Sequence, residues 1–156
     1  MIEGNISIED FKNLAGTELG PSDWLLIDQE RINRFADATD DYQFIHVDPE
    51  KAAATPFGST IAHGFLSLSL LPHLLVQIMP IPKGLVMGIN YGTDKVRFSL
   101  PVHVNSRVRA RARVERVSVR SGGQYMVKSR VKLEIEGRQR PAVIAEILSL
   151  YVVEVP

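Results

Sequence analysis

The chain has 156 residues, of which 45% are hydrophobic and 23% are charged, a composition typical of one globular domain rather than of a disordered segment. Its 18 basic and 18 acidic side chains balance, so it lacks the net charge that attracts nucleic acid or an anionic membrane. The absence of cysteine excludes disulfides and thiolate metal sites. Residues 1–5 do not resemble a signal peptide, and we therefore expect a cytoplasmic protein.

The first third of the chain predicts a short strand followed by two helices. Residues 24–27 form an apolar run compatible with a strand, and Asp28 offers an N-cap for a helix that ends near residues 39–40. Asp48-Pro49 combines a second cap with a proline at the first helical position. This pair is predicted to open a short helix that ends near Ala54.

Residues 52–82 contain no Asp, Glu, Lys or Arg. The segment is long enough for a membrane span, but polar side chains and several prolines are spread along it. It therefore predicts a buried central helix over residues 61–79, apolar on nearly every side. Pro72 removes one backbone hydrogen bond and is expected to kink or split this helix.

After Gly84 the pattern changes to extended segments joined by turns. Small apolar residues alternate with arginines over residues 108–114, the period of a strand with one buried face. Ser121-Gly122-Gly123 predicts a hairpin turn, and residues 136–138 predict another turn. The predicted strands cover residues 85–91, 95–100, 108–114, 125–135 and 142–153.

A helix that is apolar all round needs more cover than one flat sheet face provides. The pattern therefore predicts a strongly curved antiparallel sheet around a central helix, in a single α+β domain over residues 1–156 with a core of about 20–153. The edges of such a sheet are available for pairing with a second copy of the chain.

The segment Asp41-Tyr42-Gln43-Phe44-Ile45-His46 places a carboxylate and an imidazole beside the uncharged stretch. Asp41 and His46 would point about 140° apart on a continuous helix, so a loop or turn must bring them together. We expect Phe44 and Ile45 to enter the core and leave the pair on the rim of that loop. A carboxylate and an imidazole together can bind and deprotonate a water molecule.

Gly64 is the candidate partner of this pair. In the first turn of a helix its backbone N–H has no intrahelical acceptor, and the missing side chain allows a carbonyl oxygen to approach. Donors aimed at a developing oxyanion contribute a factor of about 10²–10³ in rate. His63, the residue before it, is interpreted as a structural hydrogen-bonding residue.

Each of these features has a structural alternative. An Asp followed by a His in a loop is often a capping pair, and His73 fits a core or surface position. The histidines match no metal-ligand pattern, so we expect no metal and no cofactor. The arginines of the 107–113 segment are interpreted as a solvated strand face paired with acidic neighbours such as Glu134, the alternative being a phosphate site.

Taken together, the 41–46 segment, the His63-Gly64 step and the 95–102 segment with Phe98 and Pro101-Val102 resemble the MaoC-like family of (R)-specific enoyl-CoA hydratases. The pattern of that family is Gly-Asp-x-Asn-Pro-aliphatic-His, an apolar His-Gly step and a Phe-x-x-Pro-Val strand. The resemblance covers roughly residues 20–153, with the parts in the same order and at compatible spacing.

The resemblance implies a hotdog fold that forms a homodimer and adds water to a trans-2-enoyl-CoA, giving a (3R)-3-hydroxyacyl-CoA for fatty-acid or polyhydroxyalkanoate metabolism. Asp41 and His46 match the catalytic acid/base pair, and Gly64 matches the backbone donor to the thioester oxygen. Gln43 and His63 are possible supporting residues.

Three residues depart from the family pattern. Asp40 replaces Gly, Gln43 replaces Asn and Phe44 replaces Pro, as in a branch that includes nodulation-protein-N-like proteins and some medium-chain hydratases. Asp can occupy the left-handed backbone region that Gly adopts. The alternatives on the same fold are a dehydratase, a thioesterase or a non-catalytic module that binds acyl-CoA or an acyl carrier.

Overall fold

The computed structural model describes residues 5–155, which form one antiparallel sheet and a set of short helices. The helices are α1 Ile8–Lys12, α2 Gln29–Thr39, α3 Phe44–Val47, α4 Pro49–Ala53, α5 Gly64–Ser69 and α6 Leu71–Leu75. The strands are β1 Glu18–Leu19, β2 Leu25–Ile27, β3 Leu85–Phe98, β4 Ser106–Arg120, β5 Gln124–Ile135 and β6 Val143–Val153.

The sheet has the strand order β1-β4-β5-β6-β3, and β2 pairs with β4 beside β1. The second half of the chain is thus a meander in which β4, β5 and β6 are neighbours and β3 forms one edge. On β4 the apolar residues of the predicted alternation are buried, while Arg109 and Arg111 contact Glu134 at 2.7 and 3.1 Å. The predicted solvated face of paired arginines is confirmed.

The prediction of one helix over residues 61–79 is wrong in extent. Residues 61 and 62 are extended, because Ile61 bridges to His103 and the Ala62 N–H donates to the Val102 carbonyl at 2.7 Å. Leu70 interrupts the helical stretch between α5 and α6. Pro72 lies in the first turn of α6, where its missing N–H costs no intrahelical bond, and the predicted split is confirmed.

The two predicted strands over residues 85–91 and 95–100 are a single strand, β3, that ends at Phe98. Its pairing with β6 continues through register shifts at Asn90/Gly92 and Asp94/Arg97. Of the intervening residues, Gly92 and Asp94 are disfavoured in strands. Cross-strand pairing to β6 outweighs that local preference, and the shifts absorb the irregularity as bulges.

The helices before α5 carry the predicted caps. The Asp28 carboxylate accepts a hydrogen bond from the Arg31 N–H at 2.8 Å, and Asp48 accepts one from the Lys51 N–H at 3.0 Å. Asp40 ends α2 with φ 56° and ψ 26°, so it occupies the left-handed region as expected for a residue in place of Gly. None of the helices within residues 5–155 has the length and apolar character needed to cross a membrane.

Candidate active site

Three segments converge at one end of the sheet. Asp41 follows the left-handed turn after α2, His46 lies in α3, and His63 directly precedes α5. One side-chain donor atom from each of these three residues lies within 4.8 Å of the others. The turn that the spacing of Asp41 and His46 requires is therefore present, and it brings both to the His63-Gly64 step.

His46 is held in one tautomer by the backbone. Its side chain is buried, and its Nδ1 lies 2.7 Å from the carbonyl oxygen of Ile61. Because a carbonyl only accepts, Nδ1 carries the proton, and Nε2 of the neutral ring keeps a lone pair. Burial is the main cause that lowers the pKa of His46 from 6.5; the Ile61 hydrogen bond opposes it, His63 adds to it, and the Asp41 charge opposes it.

His63 lies between His46 and Asp41 and contacts both. Its buried ring stacks on His46 with centroids 3.8 Å apart, and its Nε2 donates to the Asp41 backbone carbonyl at 3.0 Å. The Asp41 Oδ2 lies 4.0 Å from the same nitrogen. Within residues 5–155, the buried His63 Nδ1 has no hydrogen-bond partner. The contacts indicate a residue that positions the Asp41 loop.

The Asp41 carboxylate lies on the rim of the site, where its side chain is 54% exposed. The expectation that Phe44 and Ile45 enter the core and leave both members of the pair on the rim is wrong. Phe44 is 43% exposed and His46 is 7% exposed. The reason is that α3 is a single helical turn that directs His46 toward His63 and leaves Phe44 outward. The Gln43 side chain is exposed and does not cap α3.

Gly64 is the first residue of α5, and it packs closely against Phe98. A Cβ at this residue would lie 3.1 Å from two ring atoms of Phe98, a tight contact that would require the ring to shift by a few tenths of an ångström. At the first position of a helix the N–H has no intrahelical acceptor. Gly64 and His46 line the same cavity of about 340 Å³, so the N–H and the imidazole border one space.

The walls of this cavity are mostly apolar, which suits a small acyl group and keeps the imidazole poorly solvated. They include Phe57, Ile61, Phe98, Leu100, Val102 and Val143. The leucines of the 65–79 stretch, by contrast, belong mainly to the core: Leu66, Leu70, Leu71 and Leu74 are buried in its main cluster. The structure therefore supports the interpretation of these leucines as core residues rather than as walls of an acyl tunnel.

Asp41, His46 and His63 together carry the donor atoms of a divalent metal site, but their arrangement does not suit one. The two rings are stacked with only 26° between their planes, so their in-plane lone pairs run side by side. A metal-bound imidazole needs the ion in its ring plane at about 2.0–2.1 Å, and no point satisfies both rings. A water molecule between the His46 Nε2 and the Asp41 carboxylate has no such restriction.

Gln29 ties the two halves of the site together, and no sequence signal marks it. Its Nε2 donates to the His46 carbonyl at 2.8 Å, and its Oε1 accepts from the Thr60 hydroxyl at 2.6 Å. Thr60 is buried and precedes Ile61, whose carbonyl holds the His46 ring. The Gln29 amide thus fixes the backbone of His46, which carries the imidazole, and the segment of Thr60 and Ile61, which orients it.

Comparison with known proteins agrees with this geometry. The MaoC like domain matches residues 10–136. The chain belongs to the MaoC-like family. It is 49% identical over 146 residues to 3-hydroxyacyl-thioester dehydratase Z of Mycobacterium tuberculosis, a match that covers 94% of this chain and 96% of the relative. It is 48% identical over 146 residues to nodulation protein N of Rhizobium meliloti, covering 93% and 91% of the two chains.

Among solved structures, the MaoC-like dehydratase from Rhodospirillum rubrum superposes with a TM-score of 0.76 at 18% identity, over 97% of this chain and 100% of that one. This likeness confirms the hotdog fold that the motif resemblance implied. The match to nodulation protein N confirms the predicted branch. The chain is thus a MaoC-type hydratase/dehydratase.

We predict that the buried His46 makes the folded protein less stable as the pH falls below 6.5, its ordinary pKa. Above that pH the imidazole is neutral in both states. Below it the unfolded chain takes up the proton first, because folding lowers the pKa, and the free energy of unfolding falls. Urea unfolding at pH values on either side of about 6.5 checks this prediction. The free energy of unfolding should fall less for His46→Gln than for the unmodified protein as the pH is lowered.

The matched control for this measurement is His73→Gln, which removes an exposed histidine of α6. It should leave the pH dependence of stability unchanged. Equal pH profiles for His46→Gln and the unmodified protein would contradict the assigned environment of His46.

We predict that Gln29→Leu lowers kcat by about 10- to 100-fold with a smaller change in KM, because the imidazole loses its fixed orientation. Asn33→Ala is the control, since it removes the other partner of the Gln29 Nε2, at 2.9 Å, and leaves both site contacts intact. Steady-state kinetics with an enoyl thioester should be compared with thermal unfolding of each variant. A loss of stability without a change in kcat would show that Gln29 only supports the fold.

Proposed function

We propose that the protein catalyses the reversible addition of water to a trans-2-enoyl-CoA, which gives a (3R)-3-hydroxyacyl-CoA. The observation that carries this proposal is the shared cavity of His46 and Gly64 beside the Asp41 carboxylate. An imidazole with a free Nε2, a carboxylate and an unpaired N–H are the groups that conjugate addition to an α,β-unsaturated thioester requires.

In the proposed hydration, the thioester oxygen accepts a hydrogen bond from the Gly64 N–H while Asp41 and the His46 Nε2 hold a water over C3. His46 takes a proton from this water as its oxygen bonds to C3. The π electrons of C2=C3 move toward C1, and the negative charge gathers on the thioester oxygen near the Gly64 N–H.

The reaction is completed when the imidazolium returns its proton to C2 and the enolate collapses. Both the hydroxyl group and the proton then arrive from the side of the pair, so water adds syn. Asp41 stabilises the transient charge on His46, and His63 keeps the Asp41 loop in place. The burial of His46, which lowers its pKa, favours its neutral, proton-accepting form before attack.

The reverse reaction, loss of water from a 3-hydroxyacyl thioester, uses the same groups and the same transition state. The name of the Mycobacterium tuberculosis relative describes that direction. The relative concentrations of the two thioesters decide the net direction, so hydratase and dehydratase are one proposed activity. Thioester hydrolysis would instead require the water to be directed at C1, where the Gly64 N–H is expected to hold the oxygen.

We also propose that the protein acts as a homodimer joined through β3. This strand is one edge of the sheet, spans 14 residues and exposes several apolar side chains. Val86, Met87, Ile89 and Tyr91 are each between 41% and 55% exposed. A long apolar edge with open backbone groups is unusual in a monomer, and pairing with a second β3 would cover both.

We predict that His46→Gln and Asp41→Asn each lower kcat for hydration of crotonyl-CoA by about 10²- to 10⁴-fold, because each removes a group that handles the water. Loss of enoyl absorbance follows the reaction, and chiral analysis of the product tests for the (3R) isomer. Asp40→Asn is the matched control, since it changes the adjacent carboxylate but keeps a residue suited to the left-handed turn.

Near-full activity in both site variants would rule out the proposed mechanism. Release of free thiol at the rate of substrate loss would identify a thioesterase instead. Tight binding of acyl-CoA without turnover by the unmodified protein would identify a binding module.

We predict that Ile89→Lys halves the mass of the particle in light scattering, because it places a charge on the paired edge. Leu26→Lys is the control: Leu26 is 46% exposed and lies on β2, which pairs with β4 on the opposite side of the sheet from β3. A monomeric unmodified protein, or a dimer that persists in Ile89→Lys, would show that β3 is not the interface.

A further inference from the structure

A second cavity of about 400 Å³ adjoins the candidate active site. It shares Leu100 and Pro101 with the cavity of His46 and Gly64. Its remaining walls are more polar than those of the first cavity: they include His103, Ser106, Glu136 and Arg138. An apolar cavity that contains reactive groups and a polar one thus lie on either side of the Leu100-Pro101 segment.

The charge around the second cavity is not balanced. Glu136 is engaged by Arg107, whose Nε lies 2.7 Å from its Oε2, and this contact holds the pKa of Glu136 below its usual value. Arg138 and Arg140 follow on the same exposed turn. No carboxylate of residues 5–155 forms an ion pair with either of them.

This lack of partners contrasts with the arginines of β4. Arg107, Arg109, Arg111 and Arg113 each contact a glutamate. The chain as a whole has a formal net charge of +0. Arg138, which forms no ion pair among residues 5–155, therefore adds to the wall of the second cavity a positive charge that the global charge does not reveal, and Arg140 follows it two residues later in the chain. Guanidinium groups bind phosphate oxygens well.

We propose that this second cavity binds the phosphate groups of the coenzyme A carrier, with Arg138 as the main cation and Arg140 as a flanking one. The proposal rests on the proposed function, which puts the thioester carbonyl at Gly64. From there the uncharged pantetheine arm crosses the Leu100-Pro101 segment, and the phosphates that follow it reach the polar cavity. A concave site of this size suits a nucleotide better than it suits the surface of a carrier protein.

The test compares Arg138→Ala with the unmodified protein on two crotonyl thioesters, one of coenzyme A and one of N-acetylcysteamine, which has no phosphate. We expect KM for the coenzyme A thioester to rise about tenfold with kcat unchanged. We expect no change with the N-acetylcysteamine thioester, and partial recovery of KM in Arg138→Lys. Arg116→Ala, which removes another exposed arginine without an ion pair among residues 5–155, should match the unmodified protein.

Two results would overturn the proposal: an unchanged KM for coenzyme A thioester in Arg138→Ala, or an equal rise with both substrates, which would indicate a structural role. An acyl-carrier-protein thioester affected more than the coenzyme A thioester would also overturn it, in favour of a docked carrier protein. Calorimetric binding of adenosine 3′,5′-bisphosphate, weakened about tenfold by Arg138→Ala, tests the site without turnover. If this binding behaves as expected but the unmodified protein hydrates neither thioester, the proposed function fails and the carrier site stands.

Discussion

The hydrogen bond from the His46 Nδ1 to the Ile61 carbonyl is the contact on which the rest of the site depends. It selects the tautomer that leaves Nε2 free, and it joins the short helix α3 to the extended residues before α5. A second bond, from the Ile61 N–H to the Ile45 carbonyl at 3.0 Å, joins the same two segments. The Ile61 carbonyl that binds the ring is a backbone group, and the Ile61 N–H fixes its position relative to α3. The path of the chain itself therefore sets the orientation of the imidazole.

Burial strengthens the hydrogen bonds that hold His46. His46 and His63 lie in a poorly solvated region, where an unsatisfied polar group is costly and a satisfied one is held firmly. The same lack of solvent lowers the pKa of His46. The Asp41 carboxylate stays on the solvated rim. A buried neutral imidazole beside an exposed anion suits the proposed activation of one water molecule.

The three departures from the family motif have a structural explanation in this chain. Asp40 adopts the left-handed conformation that a glycine would adopt, so the chain still turns toward His63. The Gln43 N–H donates to the Asp41 Oδ1 at 3.4 Å, a backbone contact that does not depend on the Gln43 side chain. The side chains of Gln43 and Phe44 are exposed, and among the described residues neither forms a hydrogen bond with the imidazole or the carboxylate. The substitutions therefore change the surface of the loop and leave the relation between Asp41 and His46 intact.

The sequence by itself determined the fold class, the helix caps at Asp28 and Asp48, the meander and the candidate residues, because these follow from local periodicity, capping preferences and motif order. Only the tertiary structure decided the extents of the central helix and of β3, the inward direction of His46, and the role of Gln29. Each of these depends on contacts between segments distant in sequence: the bridge of Ile61 to His103, the pairing of β3 with β6, and the bonds of Gln29 to His46 and Thr60. Such contacts compete with local preference at a similar energy, and only the folded chain shows which one prevails.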